Sequence, residues 1–338
     1  MSRYSRQILF APIGEEGQRK IRKKHVLIVG VGALGSANAE MLARAGIGKL
    51  TIIDRDYIDW SNLQRQQLYC EKDVQNHTPK AIAAKARLEE INRDVEVVAH
   101  IKDLTAQELE QMVTGVDVMI DATDNFETRF LMNDVAQKYK IPWIYGACVG
   151  SYGISYTILP GQTPCLACLL ESIPLGGATC DTAGIISPAV SQVVTYQVTE
   201  TLKLLVEDYG ALRSKLVSFD LWNNEHREMQ VQALKKIDCL SCGEHAVYPY
   251  LQKENTSKAA VLCGRNTVQI RPPYIQDISL EHYKQLLVNK VENLTANPYL
   301  LSFSVEDKRL VLFQDGRVLV HGTNSIPEAK TVYHRYFG

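Results

Sequence analysis

Residues 25–54 constrain this chain more than any other stretch. His25-Val26-Leu27-Ile28-Val29 is a short β-branched apolar run, the pattern of a parallel strand buried on both faces. It leads directly into Gly30-Val31-Gly32-Ala33-Leu34-Gly35, and Ser36 to Ala45 then reads as a helix ending near Gly46. Leu50-Thr51-Ile52-Ile53 is a second strand that stops at Asp54, an acid about 20 residues past the glycines. Together these make one βαβ unit whose backbone can approach a phosphate at a helix N-terminus. Such a unit serves NAD, FAD and ATP equally, and Asp54 suits the ribose of any of them.

The alternation continues down the chain. Lys80–Asn92 reads as a helix, 95–98 as a strand, and 105–113 as a helix capped by Thr105. Residues 116–120 read as a strand, Phe126–Tyr139 as a helix and 143–145 as a strand. The fold class predicted is therefore α/β, a doubly wound Rossmann-like sheet. After Gly146 the pattern changes: 152–159 is strand-like, 163–181 loop-like, and 188 to about 207 a long helix. Beyond Cys242 short strands are expected at 261–270, 299–305, 309–313 and 317–320, with helices at 279–287 and 325–336. A length of 338 residues accommodates a large domain and a small one, divided here as 1–247 and a small α+β domain over 248–338. Asp315-Gly316 is a hairpin signal within the second.

Cations beyond the loop change what the glycines mean. Asn62, Arg65 and Gln66 share one short segment with Asp56 just before it, and Lys80 opens the next helix behind Pro79. An arginine fork and a lysine point charge suit the β and γ phosphates of ATP. A redox site of this class needs no such cluster, although each cation taken singly could be a solvated surface charge. Asp121 and Asp124 follow a strand, where ligands meet a doubly wound sheet, and Asp124 could hold Mg²⁺ against phosphates. Thr123 to Asn125 also reads as a helix N-cap.

Cys165/Cys168 and Cys239/Cys242 are two Cys-x-x-Cys pairs, a ligand set for structural zinc. Cys180 lies alone in a glycine-rich stretch, open to reading as a nucleophile or as an inert thiol, and Cys70 and Cys148 are taken as structural. A formal net charge of -1 gives no nucleic-acid or membrane surface. No stretch reaches the ~20 apolar residues of a membrane span, and no signal core follows Met1, so a cytoplasmic protein is expected.

With these residues in hand the chain resembles the E1-like adenylyltransferases, the ThiF/MoeB/HesA family that activates ubiquitin-like sulfur carriers for molybdopterin and thiamine synthesis. The resemblance runs from Tyr4-Ser5-Arg6-Gln7 to Cys242 and includes Ser61-Asn62-Leu63-Gln64-Arg65-Gln66, Pro79-Lys80 and the run from Asp121 to Asn125. It implies that Gly32 lines ATP, Asp54 holds the ribose, Asn62, Arg65 and Lys80 grip the phosphates, and Asp124 positions Mg²⁺. Asp56, Gln66 and Asn125 belong to the same nucleotide site. It further implies that Arg6 reaches the other protomer of a homodimer, and that Cys180 joins sulfur chemistry in the thiamine branch while being dispensable in the other. The carrier ends in Gly-Gly and is activated as an acyl-adenylate, with sulfur then supplied by a donor protein. The alternatives are an NAD-dependent dehydrogenase, which leaves Arg65 and Lys80 idle, and a non-catalytic E1-like scaffold, which the presence of Arg65, Lys80 and Asp124 disfavours. Two departures stand out: Ala33 replaces a glycine common in relatives, and the C-terminal domain does not look rhodanese-like. Its one cysteine, Cys263, sits at a strand end, so no sulfurtransferase activity is expected.

Overall fold

The structure, a computed structural model, describes residues 3–171, 183–252, 259–262, 266–271 and 278–337. It divides into two compact units, 1–255 and 256–338. The first is built on an eight-stranded sheet of order β3-β2-β1-β4-β5-β6-β7-β8. The strands are β1 (His25–Val29), β2 (Lys49–Asp54), β3 (Glu96–Ile101), β4 (Val118–Asp121), β5 (Trp143–Val149), β6 (Tyr152–Ile158), β7 (Lys215–Asp220) and β8 (Glu225–Gln230). Strands β1 to β5 run parallel, and β6 to β8 are added antiparallel. β1 lies between β2 and β4, so the strand order reverses there and opens a crevice at the strands' carboxyl ends.

The apolar run of β1 feeds both cores. Val26 and Ile28 pack with Leu42, Leu88 and Val194, whereas Leu27 and Val29 pack with Leu109, Met132 and Trp143. The first group joins helices α3 (Ala33–Ala45), α5 (Lys80–Ile91) and α9 (Ser187–Val206). The second joins α6 (Ala106–Met112) and α7 (Phe126–Tyr139). Period-two alternation into two helical layers is why the sequence shows a continuous hydrophobic run.

Several elements escape the sequence pattern. α1 (Ser5–Ile8) and α2 (Gly14–Ile21) form an N-terminal pair. Gln7 Nε2 donates to the Ala45 carbonyl at 2.9 Å, and the Tyr4 hydroxyl accepts from Asn92 Nδ2 at 2.8 Å. α1 is thereby anchored to the C-terminal end of α3. The stretch expected to be loop from 163 contains the short helix α8 (Leu166–Leu170). α4 (Glu71–Gln75) lies between the crossover segment and α5.

The second unit is a six-stranded antiparallel sheet of order β11-β12-β13-β14-β10-β9. Its strands are β9 (Ala259–Leu262), β10 (Thr267–Ile270), β11 (Glu292–Ala296), β12 (Leu300–Val305), β13 (Lys308–Phe313) and β14 (Val318–His321). α10 (Leu280–Leu287) and α11 (Ile326–Phe337) contribute Leu287, Ala329 and Val332 to a core with Phe303, Leu310 and Val320. The single strand expected at 261–270 is two antiparallel strands, with Asn266 in the left-handed conformation before β10 (φ 44°). Cys263 lies outside the described residues. Gly316, at φ 82°, turns β13 back into β14.

Candidate active site

Three glycines shape the loop between β1 and α3, and for different reasons. Gly30 has φ 89°, and a Cβ there would meet the Ala122 carbonyl oxygen at 2.4 Å. A Cβ on Gly35 would sit 1.9 Å from the Gly30 carbonyl oxygen. Both are required by the fold itself. Gly32 differs: a Cβ there would meet only Gln66 Nε2, at 3.6 Å, and otherwise face open space. Gly35→Ala is therefore expected to cost at least the upper end of ~1–3 kcal/mol in a denaturant melt. Gly32→Ala should melt normally and lose nucleotide affinity by isothermal calorimetry. α3 begins at Ala33, three residues earlier than its pattern suggests, so its first N–H groups, which have no intrahelical partner, lie within the glycine loop.

The acids and cations converge on this loop. Asp54 Oδ2 accepts from Val31 N at 2.6 Å and Oδ1 from Asp56 N at 2.8 Å. Burial pushes the Asp54 carboxyl up, while the nearby Lys80 ammonium pulls it back down. Lys80, at the first position of α5, is buried and pairs with Asp56 at 3.3 Å. Buried charges of opposite sign hold each other in place. Tyr69, which sequence reasoning missed, ties this pair to the loop: its hydroxyl lies 2.6 Å from the Val31 carbonyl oxygen and 3.2 Å from that of Lys80.

Asn62 and Gln66 are buried on the crossover segment, whose 3-10 turn Trp60–Asn62 is closed by reciprocal Asp59 and Asn62 bonds. Arg65 is half-buried, donates to the Ser61 carbonyl at 2.7 Å, and makes no ion pair among the described residues. Gln66 Oε1 is buried without a hydrogen-bond partner among them. Gln66 Nε2 is the atom nearest the open space at Gly32, so the crossover segment borders that space.

Beyond β4, Asp121 and Asp124 part company. Asp121 is fully buried and paired with the buried Arg129 at 2.9 Å. Asp124 is exposed, with Arg55 at 3.9 Å. Asn125 caps α7 by accepting from Thr128 N at 2.9 Å. Arg6 is exposed on α1. Because α1 is anchored at the far end of the 13-residue α3, Arg6 lies about 20 Å, a helix length, from its own chain's glycine loop. Cys180 falls outside the described residues.

The four cysteines expected to hold zinc do come together. Sγ separations are 3.9 Å for Cys165–Cys168, 3.7 Å for Cys165–Cys239 and 3.6 Å for Cys168–Cys242. All four sulfurs lie within 4.8 Å of one another. A tetrahedron with metal–sulfur bonds of about 2.3 Å has edges of about 3.8 Å, so the donor set fits zinc. Hydrogen bonding from Cys165 holds the Cys168 thiol below its usual range. Cys70 is exposed beside Asp73, and Cys148 is half-buried on β5.

An open α/β sheet with a glycine loop tied to a buried lysine, followed by a half-buried arginine and an exposed acid beyond the strand ends, is the frame of a nucleotide-binding enzyme, and the relatives place it in the adenylating class. The chain belongs to the ThiF family, whose model matches residues 4–241. It is 54% identical over 336 residues to the sulfur carrier protein ThiS adenylyltransferase of Bacillus subtilis strain 168, covering 99% of each chain. It is 34% identical to the protein of the same name from Escherichia coli K12, over 71% of this chain and 94% of that one. The molybdopterin-synthase adenylyltransferase of Salmonella typhimurium is 31% identical, over 72% and 97%. Among solved structures, E. coli MccB shares the fold with TM-score 0.62 at 20% identity, over 73% of each chain. No helix among the described residues is long and apolar enough to cross a membrane.

Proposed function

We propose that this chain is an ATP-dependent adenylyltransferase acting on the C-terminal glycine carboxylate of a ubiquitin-like sulfur carrier, and that the carrier is of the ThiS, thiamine-forming kind. What supports the activity is the buried Lys80, tied to the open glycine loop through Asp56 and Tyr69, with Arg65 next to the Gln66 that borders Gly32. The carrier type rests on the 54% identity across 99% of both chains.

The carrier's carboxylate is already anionic and needs no general base. One of its oxygens bonds to the α-phosphorus of ATP, and the bond from that phosphorus to pyrophosphate breaks, leaving acyl-AMP. The reaction's obstacle is charge, since an anion approaches a polyanion and a second polyanion leaves. Lys80, held by Asp56 and the Tyr69 tether, and Arg65, on the crossover segment, supply fixed positive charge there. Asn62 and Gln66 line the phosphate path and Asp54 faces the ribose, with Asp56 and Asn125 at its borders. Asp124 is the hard oxygen donor suited to Mg²⁺, which when bound neutralises phosphate charge. The four cysteines hold zinc as a structural clasp. Sulfur is then delivered to the acyl-adenylate by a donor protein. Cys180 is a candidate for that later step.

Arg6 completes the site in trans within a homodimer, helped by exposed Leu9 and Phe10 on the same segment. Mixing Arg6→Ala with Arg65→Ala chains should restore about a quarter of wild-type activity, because half the dimers then carry one intact site. Activity no higher than either variant alone would place Arg6 outside the partner's site. The reaction itself is tested by incubating the chain with ATP and a Gly-Gly carrier and weighing the carrier intact. A carrier heavier by one adenylyl group supports the assignment, and unmodified carrier under all conditions contradicts it.

A further inference from the structure

We propose that Arg129 is a positioning residue for the nucleotide site: its guanidinium fork fixes the turn 121–125 and thereby the place of Asp124. Arg129 Nε donates to Asp121 Oδ2 at 2.9 Å and Nη2 to the Thr123 carbonyl at 2.7 Å. The other Asp121 oxygen accepts from Thr123 N and Oγ1, both at 2.9 Å. The turn's backbone is thus tied to one arginine at two points, with Asp124 next along. On the outer side Gln197 Nε2, from α9, donates to the Asp121 carbonyl at 2.7 Å. The rings of Phe126 and Tyr145 lie 5.2 and 5.5 Å from the guanidinium carbon and hold it from the sides.

The same turn presses on the glycine loop, because the Ala122 carbonyl oxygen occupies the space beside Gly30 that a Cβ would need. A shift of the turn therefore moves both the loop and Asp124. A lysine at 129 keeps the charge but, as a point donor, cannot span the Asp121 carboxylate and the Thr123 carbonyl together. What Arg129 holds is read from its contacts; what Asp124 does there rests on the adenylyltransferase reading.

The test is Arg129→Lys beside wild type, in the full-length zinc-loaded protein with ThiS-type carrier. Expected is a fall in the kcat of ATP–pyrophosphate exchange of about tenfold to a hundredfold, since misplacement by an ångström costs that much. The Mg²⁺ concentration for half-maximal rate should rise several-fold, with the KM for carrier and the Tm nearly unchanged. Mn²⁺ binding to the ATP-loaded variant, followed by the paramagnetic resonance of free Mn²⁺, should weaken in parallel. Unchanged kcat and metal dependence would overturn the inference. So would a loss that merely tracks the unfolded fraction. The charge-free pair Asp121→Asn/Arg129→Gln carries the same readouts if the lysine variant does not fold. An active wild type with an unaffected variant refutes only the role of Arg129, whereas an inactive wild type removes the reading beneath it as well.

Discussion

Arg65→Ala is expected to lower carrier-dependent ATP–pyrophosphate exchange by about a hundredfold to a thousandfold, the usual cost of one preorganised electrostatic contact. Its stability should move by no more than ~0.5 kcal/mol, because the guanidinium's one described hydrogen bond is to the Ser61 carbonyl. That separation of activity from folding is the point of choosing Arg65 over Lys80. Lys80 and Asp56 are both buried and paired, so removing the lysine strands a carboxylate and costs ~3–5 kcal/mol before any chemistry is tested. Exchange near the wild-type rate in Arg65→Ala would remove this residue from the phosphate path. Asp124→Ala should behave similarly, since its carboxylate is exposed and its ion-pair partner Arg55 lies at 3.9 Å.

Cys242→Ser has the second large expected effect. The parent protein should carry close to one zinc per chain, and the variant none, by metal analysis after gel filtration. Two of the ligands, Cys165 and Cys168, are fully buried, so without metal the four sulfurs would crowd one another with nothing to balance their charge. The loss should also reach α7. Asn133 Oδ1 accepts from Leu166 N, and Asp134 Oδ2 from Tyr250 N, each at 2.9 Å, so one helix holds a residue within the first cysteine pair and the segment that follows the second. A substantial fall in Tm is therefore expected along with the metal. A parent protein without zinc would refute the four-thiolate assignment.

What the sequence made legible is what is local. The glycine loop, Asp54, the crossover segment from Asn62 to Gln66, and Lys80 each announce themselves within a few residues, and the α/β alternation places them at strand ends. Helix α7 was readable to the residue, its start marked by the cap at Asn125. The contacts made through space were not readable. Tyr69 reaches Val31, and Gln197 reaches Asp121 from 76 residues away. Arg129 was closer to hand, eight residues from Asp121 on the face of a recognised helix, yet nothing in its spacing says that it turns inward. β8 escaped because Glu225–Gln230 is an edge strand, almost wholly exposed, with no apolar alternation to detect. β11 escaped for the same reason. The division between Asp121 and Asp124 likewise depends on burial: identical side chains three residues apart, one locked to an arginine and one left at the mouth of the crevice.

The most direct test of the central claim is ATP–pyrophosphate exchange with purified ThiS-type and molybdopterin-type carriers, each intact and each shortened by its last glycine. Expected is exchange with the intact ThiS-type carrier and none with either shortened form, since the reacting carboxylate must reach the α-phosphate from the full-length tail. Absence of exchange with both intact carriers would contradict the adenylyltransferase assignment, and exchange with the molybdopterin-type carrier alone would contradict the thiamine one.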